Sequence, residues 1–290
     1  MDKKILGQVF KSLRISKGFK QRDIVAEGVS KSTISSFELG DTDIQLSKFY
    51  KLIKKIGVSL EEFDYAVNGY DFCDFDKLMN KIGVLYDQQN VAGLKFLLSD
   101  EIERCKTSLS NIHDEIHCTM IKCLIAELDK DFKITNAEKD QITDYLYRSE
   151  NWSYHKLVLY NNTIRILDTS ALIYYSDLAI SRTAYYRSLP RNKRLIMEML
   201  LNTIIVLIDK TEFILALRFK SHLENLIGER DLFEKTILLY LTGAINFGLG
   251  KEEQGRKKMQ KAIDVFHVLG SDSFTTSFQK DYYERYYKKS

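Results

Sequence analysis

The segment QRDIVAEGVSKSTISSFELG, residues 21–40, decides how the N-terminal part of this 290-residue chain folds. A short helix over residues 20–26 is followed by a glycine, and Ser30 is a favourable N-cap for a second helix over residues 31–39. Gly40 ends that second helix, because glycine readily adopts the left-handed conformation found just after a helix. The segment therefore predicts two short helices joined by a tight turn.

The residues on either side of this segment supply three more helices. Helices over residues 5–17 and 45–56 each end at a glycine, and Ser59 is the N-cap of a further helix. The sequence therefore predicts a five-helix domain over residues 1–66. The same spacing is also found in five-helix bundles that bind no nucleic acid, and charge alone does not separate these two possibilities.

The excess positive charge of the chain lies in this first domain. The whole chain has a net charge of +3, and up to Ala66 twelve Lys and Arg oppose nine Asp and Glu. The remaining residues therefore sum to zero. A short helix that follows a tight turn can enter the major groove of DNA, and a mild positive charge agrees with such a partner. The pattern favours DNA binding.

The quoted segment resembles the phage-repressor (XRE) type of helix-turn-helix. The resemblance implies that Arg14 and Glu38 form an internal ion pair and that Ile34 and Phe37 face the core. It also implies that Gln21, at the start of the first of the two helices, touches a DNA phosphate.

The resemblance further implies which side chains of the second helix read the DNA. Lys31, Ser32 and Ser36 would face base edges, with Thr33 beside them near the DNA backbone. One departure is that residues 40–43 are acidic where many relatives carry a lysine or arginine. Because most of the base-reading side chains are hydroxyls, we expect much of the specificity to come through water or DNA shape.

The rest of the chain is also expected to be helical, so the predicted fold class is all-α. Pro190 is the only proline, and apolar residues recur at spacings of three and four almost throughout. We interpret residues 67–73 as a linker and residues 74–290 as a tetratricopeptide-like α-solenoid, because helix pairs recur from residue 151 at a spacing near 40. A plain helical bundle is the alternative. The last helix pair carries small residues where the two helices of a repeat approach: Gly243, Ala244, Gly255 and Ala262.

This domain order, with the segments NWSY (residues 151–154) and LYNNTIR (residues 159–165), resembles the Rgg/MutR family of Gram-positive regulators. The resemblance implies a homodimer whose repeat domain provides both dimerisation and ligand binding. The ligand it implies is a short imported peptide pheromone, which changes transcription in quorum sensing.

The residue types in the predicted repeat helices suggest where such a peptide binds. An extended peptide presents backbone donors and acceptors, which asparagine amides can satisfy, and the planar fork of arginine suits a carboxylate. The helices expected to line the concave side cover residues 151–167, 191–208 and 231–248. The predicted peptide-binding residues are Asn161, Asn162, Arg165, Asn202 and Tyr240.

Two spacings between these residues along the sequence support the predicted peptide-binding site. Asn162 and Arg165 are three residues apart, so we expect them to share a helix face. Asn202 follows Asn162 by one apparent repeat and should lie at the same height on the next helix, and Asn161 takes this place if the helix is rotated by one position. The alternative is that these asparagines are ordinary solvent-facing or packing residues.

Other chemistry-bearing side chains give weaker patterns. His113 and His117 have the spacing of a helical metal site, and Cys118 and Cys123 lie nearby. Cys118, however, points to another side of the helix, so we predict neither a metal nor another cofactor. The four cysteines are too few for a disulfide framework in a chain of this length, and a reducing compartment would keep them as thiols.

Paired tyrosines recur in the second half of the chain. We interpret them as core packing, with a dimer interface or an aromatic peptide groove as alternatives. They occupy residues 174–175, 185–186, 282–283 and 286–287.

No enzyme signature occurs in the sequence, which has neither a P-loop, nor a dinucleotide fingerprint, nor a nucleophile elbow. We therefore expect a regulator and not an enzyme. One alternative is a helical-repeat adaptor that binds proteins. Another is a response-regulator phosphatase, which would need a catalytic bundle where residues 1–66 lie. Because neither a leader nor an apolar run of membrane-spanning length is present, we expect a cytoplasmic protein without a membrane partner.

Overall fold

A computed structural model of the protein describes residues 2–107, 112–148 and 150–287. Across these ranges the backbone forms helices and turns, and extended pairing is limited to an isolated bridge between Ala26 and Val29. The predicted all-α class is confirmed.

The chain divides into two compact units, Met1–Asp87 and Gln88–Ser290. The helix Asp74–Asp87 thus belongs to the first unit, whereas the sequence placed residue 74 at the start of the repeat domain. The described part of the first unit contains α1 (Lys3–Ser16), a 3-10 helix (Gln21–Ile24), α2 (Lys31–Leu39), α3 (Leu46–Lys55), α4 (Leu60–Val67) and α5 (Asp74–Asp87). That of the second contains α6 (Val91–Thr107), α7 (Ile112–Leu128), α8 (Asn136–Tyr147), α9 (Tyr154–Asn161), a 3-10 helix (Ile164–Ile166), α10 (Thr169–Arg182), α11 (Pro190–Asp209), α12 (Phe213–Glu224), α13 (Leu232–Gly248), α14 (Glu252–Val268), α15 (Asp272–Tyr282) and a π-helical turn (Tyr283–Tyr287).

Aromatic rings form the centre of the first unit. Phe10 of α1 lies 5.6 Å from Phe37 of α2, and Phe49 of α3 lies 4.7 Å from Phe63 of α4, measured between ring centroids. All four side chains are buried, as is Ile34. Because burial of large aromatic rings is the main stabilising term available to a small domain, this cluster fixes the position of α2 on α1 and α3.

The first of the two short helices is smaller than the sequence indicated. We predicted a helix over residues 20–26, and the structure has a single 3-10 turn over Gln21–Ile24. The reason is a pair of backbone hydrogen bonds between Ala26 and Val29, at 2.8 and 3.2 Å, which hold the chain extended before α2 begins. The tight turn that the glycine signal predicted therefore starts earlier than expected.

Helix α9 also ends earlier than predicted, at Asn161 instead of residue 167. The hydroxyl of Thr163 donates to the carbonyl of Leu159 at 3.0 Å, and the amide of Asn162 donates to the carbonyl of Val158 at 2.8 Å. Such side chains offer the backbone an alternative to further helical hydrogen bonds. The chain continues as the 3-10 helix Ile164–Ile166 before α10.

The helix pair α13 and α14 shows the close approach that the small residues predicted. A Cβ atom placed on Gly243 would lie 2.7 Å from the carbonyl oxygen of Gly255, and one on Gly255 would lie 2.7 Å from that of Gly243. Real Cβ atoms do not come so near to a carbonyl oxygen. Only glycine at both positions allows these backbones to touch.

Helix α11 is the central element of the second unit. It packs against α9, α10, α12 and α13, so it is buried on several sides and not along a single stripe.

None of the helices in the described ranges is long and apolar enough to cross a membrane.

Candidate nucleic-acid interface and candidate ligand groove

Helix α2 presents one polar side and one buried side. Lys31 and Ser32 are exposed in the first turn, and Thr33 and Ser36 are half-buried. On the opposite side, Ile34 and Phe37 are buried in the aromatic core. A helix held in this way is rigid and offers its N-terminal turn to a partner, as a DNA-reading helix must.

A cluster of hydroxyls surrounds the start of α2. The side-chain oxygen of Ser30 accepts a hydrogen bond from the backbone N–H of Thr33 at 3.1 Å, which caps the helix. It also lies 2.7 Å from the hydroxyl of Ser32 and 2.9 Å from that of Thr33. The helix N-terminus and the adjacent Lys31 both favour negatively charged or acceptor groups, which are the groups that DNA presents.

A buried ion pair lies beneath this helix. The Arg14 guanidinium donates to both carboxylate oxygens of Glu38, at 2.6 and 2.9 Å, and to the carbonyl of Phe19. The amide nitrogen of Gln21 donates to the same carboxylate at 2.9 Å. Because this nitrogen carries two hydrogens, Gln21 keeps a second donor that can meet a phosphate.

In the second unit, the two predicted asparagine positions meet between α9 and α11. The amide nitrogen of Asn202 lies 3.4 Å from the side-chain oxygen of Asn161. The Asn161 amide in turn donates to the carbonyl of Leu195 at 3.1 Å. Of the two registers that the sequence allowed, the structure therefore pairs Asn202 with Asn161 and not with Asn162.

The prediction that Asn162 and Arg165 share a helix face is wrong, because α9 ends at Asn161 and Arg165 lies in the following 3-10 helix. The Arg165 side chain is half-exposed and binds two carboxylates. Its Nε lies 2.6 Å from Glu127 of α7, and its terminal nitrogen lies 3.3 Å from Asp209 at the end of α11.

A cavity of about 220 Å³ lies next to Arg165. Tyr240 of α13 is 2 % exposed and lines it, with its hydroxyl 2.7 Å from Asp281 and 3.3 Å from the carbonyl of Phe278. Burial and the neighbouring Asp281 carboxylate raise the pKa of the Tyr240 hydroxyl above its ordinary value, so it stays protonated and donates. Asp281 and Arg285 of the C-terminal helical segment line the same cavity. We call this cavity, with Asn161 and Asn202, the candidate groove.

Charged side chains in and around the groove are paired with each other. Arg285 binds Asp209 and Asp281, and Arg165 binds Asp209 and Glu127. Three carboxylates thus face two guanidinium groups. The carboxylates of Glu127, Asp209 and Asp281 thus hold the two arginine side chains in place.

Sequence reasoning missed Asp209, Asp281 and Arg285. Asp281 and Arg285 are four residues apart, which indicates a helical ion pair, but nothing in the sequence connects that pair to Arg165. Asp209 and Arg285 are 76 positions apart. Only the packing of the C-terminal helical segment onto α13 and the end of α11 brings them together.

Three histidines, His113, His117 and His155, form a cluster separate from the candidate groove. His117 and His155 share a hydrogen bond of 2.7 Å between their Nε2 atoms, and the Tyr145 hydroxyl lies 3.1 Å from ring nitrogens of His113 and His155. Burial lowers the pKa of both His117 and His155 to about 4. Over the ranges that the structure describes, no three His, Cys, Asp or Glu side chains are arranged to hold a metal ion.

The tyrosine pairs do not share one role. Tyr175 and Tyr286 are buried, and the Tyr286 ring packs on Phe247 at 4.9 Å, as expected for core residues. Tyr185 and Tyr283 are exposed instead.

Two family models match the sequence. The one described as "HTH-type transcriptional regulator Rgg, C-terminal domain" matches residues 95–280, and a helix-turn-helix model matches residues 10–63. The first match alone covers more than half of the chain.

Solved structures agree with these matches. The chain resembles the SHP pheromone receptor Rgg2 of Streptococcus dysgalactiae with a TM-score of 0.80 and 27% identity, over 96% of this chain and 99% of that one. It resembles a protein from Listeria monocytogenes EGD-e with a TM-score of 0.82 and 21% identity, over 97% and 98%. PrgX in complex with cCF10 shares the fold, with a TM-score of 0.69 and 16% identity over 97% and 91%.

Proposed function

Because this chain belongs to the Rgg family of helix-turn-helix transcriptional regulators, we propose that it is a sequence-specific DNA-binding regulator controlled by a short peptide pheromone. The observation that carries the proposal is the match to the family over residues 95–280, together with the exposed N-terminal turn of α2. We propose that the protein acts in the cytoplasm, where the DNA that it binds is located.

We assign DNA binding to residues 1–66, followed by a linker at residues 67–73. Lys31 supplies the cation of the reading turn, and Ser32, Thr33 and Ser36 supply hydroxyls that can donate or accept. Gln21 contacts a phosphate through its second amide hydrogen. Because hydroxyls fit several bases, water and DNA shape contribute to the choice of operator.

We assign peptide binding to the candidate groove in residues 74–290. Asn161 and Asn202 provide the amides that satisfy the backbone of an extended peptide, and Asn162 lies beside them at the end of α9. Tyr240 contributes a buried side chain to the cavity lining. Arg165 receives a peptide carboxylate by exchanging Asp209 or Glu127 for it, and this exchange couples peptide binding to the contacts of α7 and α11.

The same domain provides dimerisation in this proposal. Two DNA-reading helices in a symmetric dimer can bind half-sites about 34 Å apart on one face of the duplex. The peptide changes DNA binding only to the extent that it binds one arrangement of the dimer more tightly than another.

The test is a fluorescence-anisotropy titration of the full chain with DNA from upstream of its own gene and its neighbours. It is run at two salt concentrations, with and without the peptide fraction of the culture supernatant. We expect selective, salt-sensitive binding that the peptide fraction changes. Selective binding that no peptide fraction alters would remove the peptide half of the proposal, and absence of selective binding would favour a protein-interaction adaptor.

A further inference from the structure

Two cysteines of the second unit have adjacent sulfur atoms. Cys105 lies in the last turn of α6 and Cys118 in α7, and their Sγ atoms are 3.9 Å apart. The distance is close to van der Waals contact between sulfurs. A disulfide needs about 2.05 Å, so the sulfurs have to approach each other by roughly 2 Å.

The pair opens onto a cavity separate from the candidate groove. This cavity has a volume of about 480 Å³, and its lining includes Cys105, Cys118, Lys106 and Lys122. Its size admits a small oxidant. Cys123, by contrast, is 2 % exposed and does not line the cavity, and Cys73 is exposed in the other unit.

The two thiols differ in their surroundings. Cys118 is 7 % exposed, and its burial, reinforced by the adjacent Cys105, raises the pKa of its thiol to about 12. Cys105 is only partly buried. Cys105 is therefore the sulfur that an oxidant meets first, and Cys118 is held as a protonated thiol directly beside it.

We propose that Cys105 and Cys118 form a redox-active dithiol that closes into an intramolecular disulfide when the protein meets a hydroperoxide. This modification site is independent of the DNA and peptide sites. In a reducing compartment such a disulfide is transient, which is the usual character of redox-sensing pairs in the cytosol.

The reaction balances in two steps. The Cys105 sulfur, as its thiolate, attacks one oxygen of the hydroperoxide, the O–O bond breaks, and a sulfenic acid forms as the alcohol (or water, from hydrogen peroxide) leaves with a proton. The Cys118 sulfur then attacks the Cys105 sulfur, the S–O bond breaks, and the hydroxyl leaves as water with the Cys118 proton. Two thiols lose two electrons and two protons in all, and the hydroperoxide accepts them.

The order of the residues makes the product easy to identify. Lys106 lies between the two cysteines, and Lys122 lies between Cys118 and Cys123. Trypsin therefore releases Cys105, Cys118 and Cys123 in three separate peptides, and each possible crosslink has its own mass.

The experiment uses the full chain carrying Cys73→Ser, so that the exposed Cys73 cannot link two copies. The reduced protein is exposed to hydrogen peroxide, blocked with N-ethylmaleimide, digested with trypsin and analysed by mass spectrometry. We expect a Cys105–Cys118 crosslinked peptide that disappears on treatment with dithiothreitol. Cys123→Ser, the control, should form the same crosslink to the same extent.

A second variant tests the roles of the two sulfurs. In Cys118→Ser the sulfenic acid on Cys105 has no resolving thiol, so labelling of Cys105 with dimedone should rise severalfold over the Cys73→Ser parent. The proposal is overturned if peroxide leaves both cysteines open to the blocking reagent, if the crosslink involves Cys123, or if dimedone labels Cys105 equally with and without Cys118.

Discussion

Arg14 and Glu38 form an ion pair with two hydrogen bonds beneath helix α2, and their side chains are 7 % and 2 % exposed. The pair joins α1 to α2, and Gln21 and the carbonyl of Phe19 complete its hydrogen bonding. A buried pair of this kind adds little net stability compared with an apolar pair of the same size, but loss of one partner leaves a buried charge alone. Removal of either partner should therefore be costly.

Glu38→Ala should destabilise the protein by about 3 kcal/mol, because Arg14 would remain charged and buried without its carboxylate. The measurement is urea unfolding followed by circular dichroism. The matched control is Glu253→Ala, whose partner Lys257 is exposed, and it should leave the unfolding free energy almost unchanged. Equal effects of the two substitutions would show that the buried ion pair contributes no more to the free energy of unfolding than the exposed one.

Lys31→Ala should weaken operator binding about tenfold and leave the unfolding free energy unchanged, since the side chain is exposed on the first turn of α2. Anisotropy titrations at several salt concentrations measure both the affinity and its salt dependence. Lys251→Ala, an exposed lysine of the second unit, is the control and should bind DNA as the parent does. If both variants bind alike, Lys31 does not face DNA.

The asparagine pair gives a prediction about register. Asn202→Ala and Asn161→Ala should each weaken the response to the active peptide fraction about tenfold, while Asn162→Ala should change it less, because the Asn162 amide is bound to its own helix. The readout is the amount of that fraction needed to alter DNA binding. A larger loss in Asn162→Ala than in Asn161→Ala would mean that the other register contacts the peptide.

Acid should destabilise the second unit through the histidine cluster. Burial holds the pKa of His117 and His155 near 4, against 6.5 in the unfolded chain, so the unfolded state binds more protons between these values. Stability is therefore full above pH 6.5 and is lost as the pH falls toward 4. The charged or titratable neighbours are Arg104, Asp114, His113, Tyr145 and Lys156.

Urea unfolding at pH 7 and pH 5 tests this dependence. The loss between the two pH values should shrink by about 1 kcal/mol in His155→Asn, a value reduced for partial solvent exposure, and should be unchanged in His267→Asn, whose ring is exposed. An undiminished loss in His155→Asn would assign the acid sensitivity to other groups.

Gly243→Ala should cost about 1–3 kcal/mol, because the new methyl group would lie 2.7 Å from the Gly255 carbonyl oxygen and 2.8 Å from the Met259 nitrogen. Gly83→Ala, in α5, is the opposite case, since nothing lies within 4 Å of its added Cβ. That control should be neutral or slightly stabilising, as alanine favours helix. Thermal unfolding of both variants measures the difference, and a stable Gly243→Ala would mean that α13 and α14 can separate without cost.

Much of the architecture follows from local patterns. Helix α2 occupies Lys31–Leu39 as predicted, because Ser30 caps it and Gly40 takes the left-handed conformation with φ of 77°. Gly243 and Gly255 likewise indicate the close packing of α13 and α14. A helix cap depends on residues close together in the chain, and a glycine is defined by its missing side chain. Both can therefore be identified from the sequence.

The candidate groove is different, since it depends on residues that are remote along the chain. The sequence by itself determined the all-α class, the bounds of helix α2 and the family. Only the tertiary structure decided that α9 ends at Asn161, that Asn202 meets Asn161, and that Asp209 lies between Arg165 and Arg285. The physical reason is that helix capping and apolar periodicity are short-range properties of the chain. The end of α9 depends on side-chain hydrogen bonds that compete with the helix, and the ionic partners of Arg165 depend on how distant helices pack.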